Sequence, residues 1–151
     1  MIEIRSILAP TDFSKHAAKA VRYACLLAER LGAELHLLHV LSDIVAVGPD
    51  PMMTPVLPPE YYTEAKEQAL GTLARTLKPD WGQPAAVKTS VCWGDPVEEI
   101  VAYAREGAID LVVVATHGRT GLSHVLLGSV AERIVREAPC PVLTIRDREG
   151  R

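Results

Sequence analysis

Short apolar runs of strand length alternate along this chain with stretches in which apolar residues recur every three or four positions. The short runs suit strands buried in a sheet, and the wider spacing suits helices that lay one face on it. Repeated from end to end, the alternation is the mark of βαβ units and predicts an α/β fold with a parallel sheet covered by helices.

The first strand is predicted over Ser6–Ala9, ended by Pro10. A helix follows from about Ser14, with Ala17, Val21, Ala24, Cys25, Ala28 and Leu31 on one face and Gly32 as its stop. A second strand, Glu34–Val40, leads into Ser42–Pro59, a segment with five prolines and no periodicity, which reads as a lid or as a disordered loop. Pro58-Pro59 opens a helix from about Glu60 to Leu77, because a proline fits the first turn, where its missing N–H has no partner to lose. The third strand is about Val87–Cys92, with Val87, Thr89 and Val91 alternating against Lys88 and Ser90. Asp95-Pro96-Val97-Glu98 reads as an N-cap, a first-turn proline and a capping-box acid, so a helix runs to about Arg105 and stops at Gly107. Leu111–Ala115 is uninterrupted apolar sequence, as expected of a central strand buried on both faces. The last helix runs on from Ser129, and Pro141–Arg146 supplies a fifth strand.

With 151 residues and neither repeat nor linker, residues 1–151 are expected to form one domain with a core large enough to need no disulfide. A net charge of −3 gives no basic surface, so neither nucleic acid nor an anionic membrane is an expected partner. Cys25, Cys92 and Cys140 make no CxxC or zinc spacing and read as reduced thiols that fill space in a cytosolic protein. Met1-Ile2-Glu3-Ile4-Arg5 carries charge within its first apolar segment, and the apolar runs are strand-sized. No signal peptide or membrane span is therefore expected, and the expected location is cytoplasmic.

The chemistry concentrates between His117 and Ser129, where two glycine turns join an apolar strand to an amphipathic helix. Main-chain N–H groups at glycine turns and helix starts point at anions, so this segment is suited to phosphate. Each residue also has a simpler reading. Ser129-Val130-Ala131-Glu132 fits a capping box, Asp12 or Ser14 could cap the first helix, and Arg119 could be a solvated loop charge. His117 and His39 end strands with no triad carboxylate or second metal ligand in view, and read as local structural groups more than catalytic ones. Trp81 and Trp93 are too few and too separated for a base-stacking platform.

Ile7-Leu8-Ala9-Pro10-Thr11-Asp12-Phe13-Ser14, Leu38-His39-Val40, Gly94-Asp95-Pro96 and Thr116 through Gly121, followed by Gly128-Ser129, resemble the universal stress protein family over nearly the whole chain. Nucleotide-binding members carry Gly-x2-Gly-x9-Gly-Ser/Thr; here Gly118, Gly128 and Ser129 match, and Ala115 stands where the first glycine would be. The resemblance implies a Rossmann-like three-layer sandwich, with a five-stranded parallel sheet in order 3-2-1-4-5 and helices on both faces. A ligand site then falls at the crevice where strand order reverses. It further implies ATP with its adenine near Pro10 and Val40, its ribose near Asp12 and Ala115, and its phosphates on the amides of Gly118, Arg119, Gly128, Ser129 and Val130. Thr11 and His117 complete the implied contacts, with Mg or Mn held through the phosphates and no direct metal ligand.

The implied function is that of an ATP-binding stress protein with at most slow hydrolysis, since no general base, arginine finger or metal-carboxylate cluster is evident. The alternative is a non-ATP-binding dimeric interaction module of the same family, which Ala115 favours and the retained Gly118, Gly128 and Ser129 oppose. A nucleotidyl-transferring enzyme would need a pyrophosphate loop, a His-x-Gly-His element or a P-loop, and after the first strand there is Pro-Thr-Asp-Phe-Ser instead. By resemblance a homodimer forms through the last strand, and Val142–Ile145 is an apolar stretch suited to an exposed edge.

Overall fold

The computed structural model describes residues 1–42, 57–118 and 127–146. Most of the proline-rich loop, together with Arg119 and Gly121, lies outside the described residues. The elements run β1 (Ser6–Pro10), α1 (Lys15–Leu31), β2 (Glu34–Leu41), α2 (Pro59–Ala74), β3 (Ala86–Trp93), α3 (Pro96–Glu106), β4 (Leu111–Ala115), α4 (Ser129–Glu137) and β5 (Val142–Ile145). All pairings are parallel, and the sheet order is β3-β2-β1-β4-β5.

Because strand side chains alternate, the central strands feed two cores. Ile7, Ala9, Leu35, Leu37 and Val113 face α1 and α2 and pack on Val21, Ala24, Ala28 and Leu73. Leu8, Leu38, Val112 and Val114 face α3 and α4 and pack on Val97, Ile100, Ala104 and Ile134. Burying each large aliphatic chain contributes about 1.5–3 kcal/mol, and this is what holds helices to both faces.

The helix boundaries have local causes. Ser14 caps α1 by accepting from the Ala17 N–H at 3.1 Å, and Gly32 ends it in the left-handed region at φ 65°. Leu31, expected on the buried face of α1, is instead 50% exposed, and Ala33 just beyond the turn is buried in its place. Helix α2 stops at Ala74, short of the expected Leu77. There the amides of Arg75 and Thr76 tighten onto carbonyls three residues back, and Pro79–Trp81 forms a 3-10 turn with no counterpart in the sequence reading. Asp95 caps α3 as expected, Oδ1 accepting from the Val97 and Glu98 amides at 3.1 and 3.0 Å.

All three cysteines are free thiols. Burial pushes each of them above its ordinary value, Cys92 to about 11, which leaves little reactive thiolate near neutral pH. No helix among the described residues is long and apolar enough to cross a membrane.

Candidate nucleotide site at the strand-order reversal

Strand order reverses between β1 and β4, and a cleft of about 260 Å³ opens where these two strands end. That is just below the usual range of small-molecule sites, about 300–1,000 Å³. Its floor is apolar, built from Leu38, Val40, Ile100, Val114 and Ile134; its rim is polar, with Thr11, Asp12, Thr116, His117 and Ser129. Of the sequence-derived candidates, Pro10, Thr11, Asp12, Val40, Ala115, His117, Gly118, Gly128, Ser129 and Val130 all line this cleft.

Two helices begin at the cleft, since Pro96 of α3 and Ser129 of α4 both line it, and their N-termini differ. That of α3 is closed by Asp95. At α4 the N-cap is Gly128, which offers no side-chain hydrogen bond. The first helical bond there runs from the Glu132 N–H to the Gly128 carbonyl at 2.9 Å. The N–H groups of Ser129, Val130 and Ala131 thus precede the helical ladder and have no intrahelical acceptor. Three donors and the positive end of the helix dipole converge on one side of the cleft.

This arrangement removes one simpler reading and corrects one expectation. Ser129 is the first helical residue and not the N-cap, so the capping box with Glu132, the alternative to a phosphate contact, does not form. Gly128, expected to present its amide to phosphate, donates it to the Thr116 carbonyl at 2.6 Å. Its place is one of close approach: a β-carbon there would lie 3.0 Å from the same carbonyl oxygen.

Across the cleft, the turn after β1 is stitched by its own side chains. The Thr11 hydroxyl accepts from the Phe13 N–H at 3.0 Å, and Asp12 Oδ1 accepts from the Ser14 N–H at 2.9 Å. Phe13 sits at φ 64°, a left-handed conformation that costs a bulky residue about 1–3 kcal/mol. The Thr116 hydroxyl lies 3.0 Å from His117 Nδ1, so these neighbours form a small polar pair at the end of β4.

Apart from Val40, sequence reasoning missed the floor, and it did not name Thr116 as a site residue. Ile100 and Ile134 look like ordinary core positions at helical spacing, and Pro96 was read only as a helix start. Among the described residues no group of three or more His, Cys, Asp or Glu side chains could hold a metal ion.

A doubly wound α/β domain with an apolar-floored cleft and an open helix start at the reversal point defines a class of small-molecule binding domain. A model of the universal stress protein family matches residues 3–146, and the chain belongs to that family. It is 34% identical over 142 residues to universal stress protein MJ0531 of Methanocaldococcus jannaschii, covering 94% of this chain and 82% of that one. The solved structure of protein MJ0577 superposes with a TM-score of 0.79 at 29% identity, covering 99% of this chain and 100% of that one. A universal stress protein from Archaeoglobus fulgidus, solved in complex with dAMP, shares the fold at a TM-score of 0.57 and 18% identity, over 95% of this chain and 98% of that one.

Proposed function

We propose that this protein binds an adenine nucleotide, ATP in particular, in the cleft between β1 and β4, and that occupancy sets its conformation or choice of partner. The observation that carries this reading is the uncapped start of α4, whose Ser129, Val130 and Ala131 amides precede the helical ladder at the cleft's rim. The apolar floor suits a purine, with Pro10 and Val40 beside the base. Asp12 and Ala115 flank the ribose, whose hydroxyls can donate to the carboxylate. The amides of Gly118, Arg119, Ser129 and Val130 take the phosphates, with Thr11 and His117 at the rim. The dAMP complex of the Archaeoglobus relative supports an adenine nucleotide as the ligand class.

Mg or Mn enters this reading on the phosphates. Hydrolysis is at most slow in this reading: among the described residues the cleft lining includes one carboxylate, Asp12, and no Lys or Arg to stabilise a transferring phosphoryl group. A thermal-shift titration with Mg-ATP tests the proposal. At one hundred times Kd, binding adds about 2.7 kcal/mol and raises Tm by roughly 5–10 °C for a chain of this size. No shift at millimolar Mg-ATP favours the alternative, a family member that acts as an interaction module without nucleotide.

For either reading we place the protein in the cytoplasm as a homodimer paired through Val142–Ile145. β5 is the last strand in the sheet order, and Leu143 on it is 38% exposed. A monomer in analytical ultracentrifugation at micromolar concentration would refute the dimer.

A further inference from the structure

Near the end of β2, His39 is buried on the α1 side of the sheet, directly beneath the turn that follows β1. It clasps that turn on both sides of Asp12. Its Nδ1 lies 2.7 Å from the Thr11 carbonyl oxygen, and since a carbonyl can only accept, Nδ1 carries a proton and donates it. Its ring stacks on Phe13, with centroids 4.2 Å apart and planes 28° from parallel. Phe13 is the residue held at φ 64°, and a conformation of that kind persists only where its surroundings over-determine it.

Thr11 is further tied to β2 by its own N–H, which donates to the Leu38 carbonyl at 2.9 Å. Both neighbours of Asp12 are therefore fixed to β2, one by hydrogen bonds and one by the ring stack. The Asp12 carboxylate they carry reaches across to the backbone after β4, where Oδ2 lies 2.9 Å from the place a β-carbon on Gly118 would take.

We propose that His39 is a positioning residue for nucleotide recognition: by donating to Thr11 and stacking on Phe13 it sets the backbone on either side of Asp12 and so aims the carboxylate at the ribose hydroxyls. The proposal rests on the reading of the cleft as a nucleotide site with Asp12 at the sugar. A phenylalanine at position 39 would keep the stack and lose the donor. An asparagine would keep a donor nitrogen at the same remove from Cβ as Nδ1 and lose the stack.

Calorimetric titration of ATP and of its 2′,3′-dideoxy counterpart into the wild type, His39→Phe and His39→Asn separates aiming from general damage. The wild type should prefer the ribose compound by roughly tenfold, about the worth of one charge-assisted hydrogen bond. His39→Phe should bring that preference to within about threefold while its affinity for the dideoxy compound stays within about threefold of wild type, and His39→Asn should recover part of the preference. Full ribose preference in His39→Phe overturns the proposal, and so does an equal loss of affinity for both compounds, which marks a merely structural role. Should His39→Phe fail to fold, Phe13→Gly, which relieves the backbone and removes the stack, must show the same loss of preference for the proposal to stand. A wild type that binds neither compound overturns the reading of the cleft and this proposal with it; one that binds both equally overturns only the role of Asp12 and hence that of His39. In the unmodified protein, ¹⁵N–¹H correlation of the imidazole must find Nδ1 protonated, and a neutral ring protonated only at Nε2 contradicts the proposed donor.

Discussion

A β-carbon on residue 118 would stand 2.9 Å from Oδ2 of Asp12, so the backbone after β4 closes against the carboxylate after β1 at a distance only glycine allows. The two turns that form the mouth of the cleft are in this way fitted to each other, and a methyl group between them must displace the carboxylate.

Gly118→Ala should therefore leave the fold intact and weaken nucleotide binding. The affinity for ATP is expected to fall by about tenfold, ~1.4 kcal/mol, in a calorimetric titration, with the chemical-denaturation midpoint within error of wild type. Undiminished affinity would show that Asp12 does not contact the ligand.

Ser129 offers a sharper division between stability and binding. Because it is the first helical residue and not the cap, Ser129→Ala should cost less than about 0.5 kcal/mol, whereas loss of a capping serine costs ~1 kcal/mol. Ser129→Asp adds a negative charge to the first turn of α4, so it should hold or raise stability by about 0.3–1 kcal/mol through the helix dipole. The same charge repels phosphate and should weaken ATP binding at least tenfold. Urea denaturation and calorimetry on the two variants check both halves.

Ala115 lines the cleft at the end of β4, at the position where the family resemblance implies a glycine. Removing its methyl group frees space beside the proposed ribose position. Ala115→Gly should bind ATP as tightly as the wild type or more so, and a clear loss of affinity would refute the placement of the sugar there.

At the opposite end of the sheet, Asp110 Oδ2 accepts from the Arg5 N–H at 2.8 Å and the Ser6 N–H at 3.0 Å, which ties the start of β1 to the start of β4. These bonds, the Arg5 amide foremost, hold the carboxyl below its ordinary value of 3.8. A depressed folded-state value means that the stabilisation is complete above the unfolded value and is lost as pH falls through the folded one. Asp110→Asn should thus be less stable than wild type at pH 7, with the gap in urea midpoint closing below about pH 4. A gap independent of pH would show that charge on Asp110 plays no part.

What could be read from sequence follows from the range of the forces involved. Strand β4 was legible because it is buried on both faces, so its sequence is an unbroken apolar run. The cap of α3 was legible because Asp95 and the amides it accepts are two and three residues apart. The start of α4 at Ser129 was legible, but the residue that caps it was not, because a contact outside the local pattern is involved: the Gly128 N–H is held by the Thr116 carbonyl, and Gly128 is the N-cap. The His39 contact with Thr11 spans 28 residues, and from sequence His39 could only be placed at a strand end. The apolar floor was hidden for a different reason, since Ile100 and Ile134 obey the same helical spacing whether they meet a neighbouring side chain or a purine.

If the open start of α4 holds the phosphates, its amide chemical shifts report their arrival. Titration of ¹⁵N-labelled protein with Mg-ATP should move the resonances of Ser129, Val130 and Ala131 saturably, and by more than those of Val97 and Glu98, whose amides are already taken by Asp95. If the three α4 resonances stay in place at saturating nucleotide, or the α3 pair moves in their stead, the phosphates are not bound where this account puts them.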